Sequence, residues 1–452
     1  MLFERIESEG LAHYSYLIGD GNQAVVIDPR RDVGVYVSRA TQSGMRITHI
    51  LETHRNEDYV VGSLELADRT GATVLRSGED DLSYEYGEPI LDGETLMVGR
   101  LELEAVHTPG HTLGHMSYLL HDPDGAAWII FTGDALFAGD VGRTDFYGPE
   151  RLNEITGLLY ESIFHRLLPL GDEVIVCPAH GAGSACGTAI AERTWTTIGL
   201  ERKHNPKLQH TEKDPFVANV GKMLEYPPYF RMMEVLNLQG PPVIGGLPDI
   251  PPLRPFEFAA QATTAQVVDT RLELGFGAAH VPGAVSIPER RLARYGGWFL
   301  SYDTPILLVT ESNDVSGPLR TLTRMGFDKI AGFLSEGLHS WHTAGLASES
   351  IDTITVQGLC DRLDVGEEPW ILDVRSKTEV ERTEIPTAYH IHLTQLPDRI
   401  DEVLEGEPIY VFCGTGLRSM IAASLLRRAG HDSLTVVLGG LAAWSSLTCP
   451  LE

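Results

Sequence analysis

The C-terminal half of this 452-residue chain repeats itself, and that repeat limits the fold more than any other feature. Val267-Val-Asp-Thr-Arg271 returns one small domain later as Ile371-Leu-Asp-Val-Arg375. Each copy continues with a strand-length apolar run, Ile306-Leu-Leu-Val309 and Ile409-Tyr-Val-Phe412. Helix-like stretches follow, Leu319–Met325 and Met420–Ala429. Ala331-Gly-Phe-Leu334 with Trp341 downstream then matches Val437-Leu-Gly-Gly440 with Trp444 downstream. Continuously apolar strands separated by helices are buried on both faces, which implies a parallel sheet. The pattern predicts two small α/β domains, with function at the carboxyl ends of their strands.

The preceding 250 residues read differently. Short β-rich runs (Tyr14–Ile18, Ala24–Ile27, Ile47–Leu51, Thr73–Leu75, Leu101–Val106) alternate with helix-like segments such as Val35–Ser43 and Gly62–Thr70. This predicts a layered α/β domain. It ends in a Pro/Gly-rich passage, Gly240–Pro252, which reads as a linker or surface strap. The expected boundaries are 1–250, 251–347 and 348–452. Apolar residues are 43% and charged residues 22% of the chain, which excludes global disorder. A formal charge of −28 argues against nucleic acid and anionic membrane as partners, because both demand clustered Lys and Arg. The five scattered cysteines form no disulfide framework and suggest a reducing compartment. Met1–Gly10 carries early acids, with no apolar run behind a basic start. The chain is therefore expected to be soluble and cytoplasmic.

Four segments of the first block carry chemistry: Thr53–Tyr59, Thr108–Thr112, Phe131–Ala135 and Cys177–Gly181. Each follows an apolar strand-like run and holds a His or Asp at a turn. A lone His at a strand end usually caps or packs. Four such segments in one domain are a stronger signal, because strand-end loops let side chains converge without disturbing the core. Two His and one Asp supplied this way form one face around a metal.

These segments resemble the metallo-β-lactamase superfamily over residues 1 to about 245. Its usual His-x-His-x-Asp-His motif reads here His54-Arg-Asn56-Glu-Asp58-Tyr59. The later motifs give His111, Asp134 and His180. Asn56 and Tyr59 stand where a binuclear hydrolase has further His ligands, and neither suits a borderline metal. What remains, His54, His111 and Asp134, resembles the ferrous triad of the persulfide dioxygenase branch, and implies one Fe(II) per chain. Asp58 and His180 would then support the ligands rather than bind metal. Gly139–Asp145 is similar to the substrate loop of that branch, where Arg143 would contact a carboxylate of the thiol carrier. The other reading of Arg143 is an ion pair with Asp145 or Asp140. Cys177 and Cys186 read as buried inert thiols.

The sharpest motif is Tyr410-Val-Phe-Cys413-Gly-Thr-Gly-Leu-Arg418-Ser419. A buried strand ends at Cys413, glycines let the backbone curl, and a helix begins near Ser419. Backbone N–H groups of Gly414, Thr415, Gly416, Leu417 and Ser419 would then face the sulfur as an anion nest. The helix N-terminus and Arg418 add positive potential, favouring thiolate over thiol. With Asp373-Val-Arg375 and the terminal Gly-Gly…Trp444, the motif resembles the rhodanese family, in which this Cys carries a persulfide. The family's His-Ile-Pro-Gly-Ala is Glu384-Ile-Pro-Thr-Ala388 here. The middle block is similar to the same family, with Asp269-Thr-Arg271 and Ala279-His-Val-Pro-Gly-Ala284. Its strand, however, ends at Thr310, and a hydroxyl forms no persulfide. That block is expected to be catalytically inactive. Cys360 and Cys449 read as bystanders.

Together the resemblances imply an αββα metallo-β-lactamase sandwich followed by two small rhodanese-like α/β domains with parallel sheets. They imply an iron-dependent persulfide dioxygenase joined to a sulfurtransferase that uses Cys413 and Arg418. Its partners would be dioxygen, thiosulfate or sulfite, and a persulfide of glutathione, coenzyme A or bacillithiol type. The resemblance also implies a homo-oligomer. The alternative is a zinc-dependent thioester hydrolase of glyoxalase II type with a rhodanese tail.

Overall fold

The computed structural model describes residues 1–80, 82–385 and 387–444. Its chain divides into two compact units. One is Met1–Pro248 with Thr323–Gly326; the other is Asp249–Leu322 with Phe327–Glu452.

The first unit is built on two six-stranded sheets. One runs in chain order through Leu2–Ser8, His13–Asp20, Gln23–Ile27, Arg46–Leu51, Thr73–Ser77 and Glu88–Ile90. Its first three strands form an antiparallel meander, and the rest add in parallel. The helices Gly34–Gln42 and Ser63–Thr70 supply the first two of those parallel crossovers. The second sheet has the order Thr196–Thr197, Ile175–Pro178, Ala127–Gly133, Met116–His121, Leu101–His107 and Thr95–Val98.

Alternation of side chains decides how the second sheet packs. Ile129 and Phe131 point into a core shared with Tyr16, Ile18, Val25 and Ile27 of the first sheet. Ile130 points the other way, into a second core with Leu159, Ile163 and Leu167 of the helical run that begins at Leu152. One strand thus seals both layers. The mixed strand directions put the loops after Leu51, His107, Gly133 and Pro178 at hand for one site.

The second unit holds two five-stranded sheets, all parallel. Their orders correspond strand for strand. The first runs Pro252–Leu253, Ile330–Leu334, Ile306–Val309, Gln266–Asp269, Val285–Ser286; the second runs Asp352–Thr355, Leu434–Leu438, Ile409–Phe412, Trp370–Asp373, Tyr389–His390. Ile306–Val309 and Ile409–Phe412 are fully buried, as their unbroken apolar runs require. The helices after them, Ser316–Arg324 and Leu417–Arg428, start a few residues before the predicted stretches. Ser286, on an edge strand of the first repeat, donates its N–H to the Ser424 hydroxyl behind the Cys413 loop (3.1 Å).

The cysteines need one correction. Cys360, read as a bystander, is disulfide-bonded. Cys449, read as a bystander too, lies outside the described residues.

Candidate functional site

His54 enters the loop directly after strand Arg46–Leu51 and the short link Glu52–Thr53. Its Nδ1 lies 2.8 Å from the Thr53 hydroxyl. That hydroxyl donates to Asp28 Oδ2 (2.8 Å), so His54 Nδ1 must carry the proton and donate. His111 Nδ1 donates to the Arg143 carbonyl (2.9 Å). Both imidazoles therefore present an unprotonated Nε2 inward, the tautomer that binds metals. Burial lowers the basicity of both rings and keeps them neutral.

Asp134 follows a bulge at the end of strand Ala127–Gly133. Gly133 has φ +48°, and a Cβ there would strike His115 and Thr53, so only glycine makes this turn. Asp134 Oδ2 lies 3.4 Å from His111 Nε2 and 3.8 Å from His54 Nε2. These three atoms are buried and have no hydrogen-bond partner among the described residues. Their side chains are fully shielded from solvent. Three orphaned polar atoms converging in a dry pocket are expensive unless a cation joins them. The donor set suits one. The chain thus holds a buried His/Asp group that fits a metal ion.

His180 lies against that group, and Asp58 lies against His180. His180 Nδ1 lies 2.7 Å from Asp134 Oδ1, and its Nε2 lies 2.8 Å from Asp58 Oδ2. Burial opposes charge on His180, but Asp134 and Asp58 outweigh it and raise its pKa well above the ordinary value. Burial would likewise raise Asp134. His180, then His111 and His54, outweigh that and hold the carboxyl below the usual carboxylate range. His180 therefore orients Asp134, leaving Oδ2 as the free oxygen. Asn56 and Tyr59 each spend a polar group on a backbone carbonyl. The Asn56 amide donates to the His54 carbonyl (3.3 Å), and the Tyr59 hydroxyl donates to the Asp28 carbonyl (3.5 Å).

Arg143, the cysteines and two residues that sequence reading passed over complete the surroundings. Arg143 makes a two-bond pair with Asp145 (2.7 and 2.9 Å) and donates to the Ala185 and Glu225 carbonyls. Its side chain is 1% exposed, so its donors are taken up in shaping the loop that holds His111, the ion-pair reading of this residue. Cys177 is core-packed, but Cys186 lies beside Asp58 and His180, their candidate ligand atoms within 4.8 Å of one another. His115 was missed. Its Nε2 accepts the Asp134 N–H (2.9 Å) while Nδ1 bonds the Thr108 hydroxyl (2.9 Å), fixing the Asp134 backbone. The only sequence signal was a second His four residues after His111. Glu57 was also missed; it is fully buried, and burial pushes its carboxyl up to about 8.

In the second unit, Cys413 is buried at the end of strand Ile409–Phe412. Its Sγ accepts the Gly416 N–H at 3.1 Å. Gly416 has φ +105°, which turns that N–H inward and opens helix Leu417–Arg428. Gly414, Thr415 and Leu417 form the rest of the loop, and the buried Ser419 hydroxyl has no partner among the described residues. Arg418 does not stand free. Its Nη1 and Nη2 each bond Glu379 at 2.6 Å, and this pairing raises the guanidinium pKa while lowering Glu379 to about 2.

Comparison with known proteins agrees with both halves. Residues 9–180 match the metallo-beta-lactamase superfamily, and residues 257–344 and 355–447 each match the rhodanese-like domain. Hydroxyacylglutathione hydrolase GloC of Haemophilus influenzae is 30% identical over 214 residues, covering 43% of this chain and 91% of that protein. The mitochondrial persulfide dioxygenase ETHE1 of Homo sapiens is 30% identical over 203 residues, 43% of this chain and 71% of that protein. A crystal structure of a metallo-beta-lactamase from Staphylococcus aureus subsp. aureus COL superposes with a TM-score of 0.67 at 28% identity. It covers 74% of this chain and 99% of that one. The chain belongs to the metallo-beta-lactamase superfamily. Within it, this member carries two rhodanese-like domains behind the metal-binding fold. No helix of the described residues is long and apolar enough to cross a membrane.

Proposed function

We propose that the chain is an iron-dependent persulfide dioxygenase coupled to a sulfurtransferase. The observation that carries the first half is the buried pocket in which His54 Nε2, His111 Nε2 and Asp134 Oδ2 converge without hydrogen-bond partners among the described residues. Three protein donors on one face would leave open positions for dioxygen and substrate sulfur on a bound ion. The overall reaction balances as R–S–SH plus dioxygen and water giving R–SH, sulfite and two protons. A ferrous ion, when bound, supplies the electron transfer to dioxygen. The chain supplies the geometry. His54 and His111 hold their lone pairs inward through Thr53 and the Arg143 carbonyl, His180 restricts Asp134 to one free oxygen, and the Phe146 ring covers the His111 edge (centroids 5.2 Å).

In the second half, Cys413 attacks the sulfane sulfur of thiosulfate. The S–S bond breaks, sulfite leaves with its electron pair, and Cys413 keeps a persulfide. A small thiolate then takes that sulfur and regenerates the Cys413 thiolate. The Gly416 N–H stabilises the sulfur anion in both steps. A thiol persulfide of glutathione, coenzyme A or bacillithiol type links the two sites, as product of one and substrate of the other.

Metal analysis of anaerobically purified protein, run beside oxygen uptake with glutathione persulfide, tests the reading. One iron per chain with persulfide-dependent uptake is expected, and His111→Ala should lose both. Uptake that survives His111→Ala removes the iron assignment. A second reading, zinc-dependent thioester hydrolysis, is favoured by the likeness to hydroxyacylglutathione hydrolase and by the Asp58, His180, Cys186 group. It requires two zinc ions per chain and thioester cleavage.

A further inference from the structure

The loop that carries His54 and Asp58 is buried, yet residues 52–60 lie in neither helix nor strand. Its backbone polar groups must therefore find partners outside the sheet ladders. Three of them meet one side chain. The Asn237 amide donates to the Asn56 carbonyl (2.7 Å) and to the Tyr59 carbonyl (2.8 Å), and its oxygen accepts the Val61 N–H (3.0 Å). All of its donors and its acceptor oxygen are used, and two carbonyls against one N–H leave only one orientation for the amide. Asn237 is 1% exposed and stands 181 residues beyond Asn56 in the chain. It lies on helix Phe230–Gln239, and its own carbonyl accepts the Tyr86 hydroxyl (3.1 Å).

The two carbonyls that Asn237 holds flank Asp58. Asp58 meets His180, and His180 restrains Asp134. Asn56, the first residue held, bonds back to the His54 carbonyl. One amide thus fixes the stretch of backbone from which two sides of the metal pocket are set. The same helix face places Glu234 on Arg55, beside His54, and Phe230 against Phe146, whose ring covers His111. Metal donors need placement to within about 0.5 Å, which an irregular loop does not secure by itself. We propose that Asn237 is a positioning residue of the metal site, setting the loop that presents His54 and Asp58. This rests on the metal-site reading above and deepens it.

The test is Co(II) binding to the metal-free full-length chain, in competition with a chromophoric chelator and followed by the visible Co(II) spectrum. Asn237→Leu keeps the bulk and removes all three bonds. It is expected to weaken Co(II) roughly tenfold or more and to shift the spectrum. Val235→Gly loosens the same helix from its exposed face, so it should lower the melting temperature and leave Co(II) affinity and spectrum as in wild type. Folded Asn237→Leu with wild-type affinity and spectrum overturns the positioning role. Equal weakening by Val235→Gly also overturns it, because helix stability alone would then account for the effect. His111→Ala separates the two readings: loss of Co(II) there upholds the metal site whatever Asn237→Leu does, and retention overturns both. Thermal melting reports folding of each variant. Should Asn237→Leu fail to fold, Asn237→Asp takes its place. It keeps the acceptor for Val61 and loses at least one donor; a shifted Co(II) spectrum supports positioning, and an unchanged one overturns it.

Discussion

The two rhodanese-like repeats share a frame and differ at one loop. In each, an Asp at a strand end grips an Arg two residues on through two bonds. Asp269–Arg271 and Asp373–Arg375 both close to 2.6 Å, and each Arg also donates to a carbonyl eight residues further along, Ala279 or Thr383. In each, the central strand is fully buried, and the next residue opens the loop. That residue is Cys413 in one repeat and Thr310 in the other. Around Cys413, Gly416 turns an N–H onto the sulfur. Around Thr310 the loop closes on itself. The Thr310 hydroxyl donates to the Ser312 carbonyl, Asn313 accepts the Glu336 N–H, and Asp314 accepts the Ser316 N–H. Side-chain acceptors have replaced free backbone donors. The frame is therefore set by buried strands and an Asp–Arg staple, while the chemistry resides in the loop between strand and helix.

The comparison breaks most sharply at the nucleophile. Cys413→Ser should abolish sulfite release from thiosulfate in the presence of a thiol, while oxygen uptake with an added persulfide persists. Loss of uptake as well would show that the two sites act only in sequence. Next comes the staple. Arg375→Ala strands a buried carboxylate and should destabilise its domain by about 3–5 kcal/mol in denaturant titrations. Arg271→Ala should be milder, because Arg271 is 10% exposed where Arg375 is fully buried. Equal losses would mean that the frames are energetically equivalent despite that difference.

Glu379→Gln should be smaller still. The pair with Arg418 is partly solvent-screened, with Glu379 36% exposed, so roughly 0–1 kcal/mol is expected. The Glu379 carboxyl is held down to about 2, so the pair contributes above the ordinary carboxylate range and fades as pH falls toward 2. Wild type and Glu379→Gln should thus melt apart at neutral pH and converge in acid. The smallest expected effect is none. Thr310→Cys in a Cys413→Ser background should restore no sulfur transfer, because Glu311 and Asp314 repel an anion and Asn313 stands where Gly416 turns its N–H onto Cys413. Restored activity would show that the residue alone, and not its loop, makes the nucleophile.

Much of this was legible in residue order. Unbroken apolar runs fixed the parallel strands of both repeats, since a strand buried on both faces has no room for polar residues. The strand-end placement of His54, His111, Asp134 and Cys413 followed from the same runs. Partnerships across the fold were not legible. Arg418 reads as a free positive charge beside Cys413, but a carboxylate from a separate helix, Glu379, meets it. Arg143 reads equally as a substrate contact or an ion pair, and its pairing with Asp145 and two carbonyls comes from packing of distant segments. Glu57, His115 and Cys186 carry no motif of their own, and each matters only through what surrounds it.

The sequence by itself determined the order of domains, the repeat, and which loops carry ligating and nucleophilic side chains, because periodicity and turn chemistry are local properties of the chain. Tertiary structure alone decided which nitrogen of each His faces inward, that His180 restrains one oxygen of Asp134, and that Asn237 meets the backbone of the loop after His54. Those outcomes depend on burial and on donors from distant segments, and neither is written in the neighbouring residues.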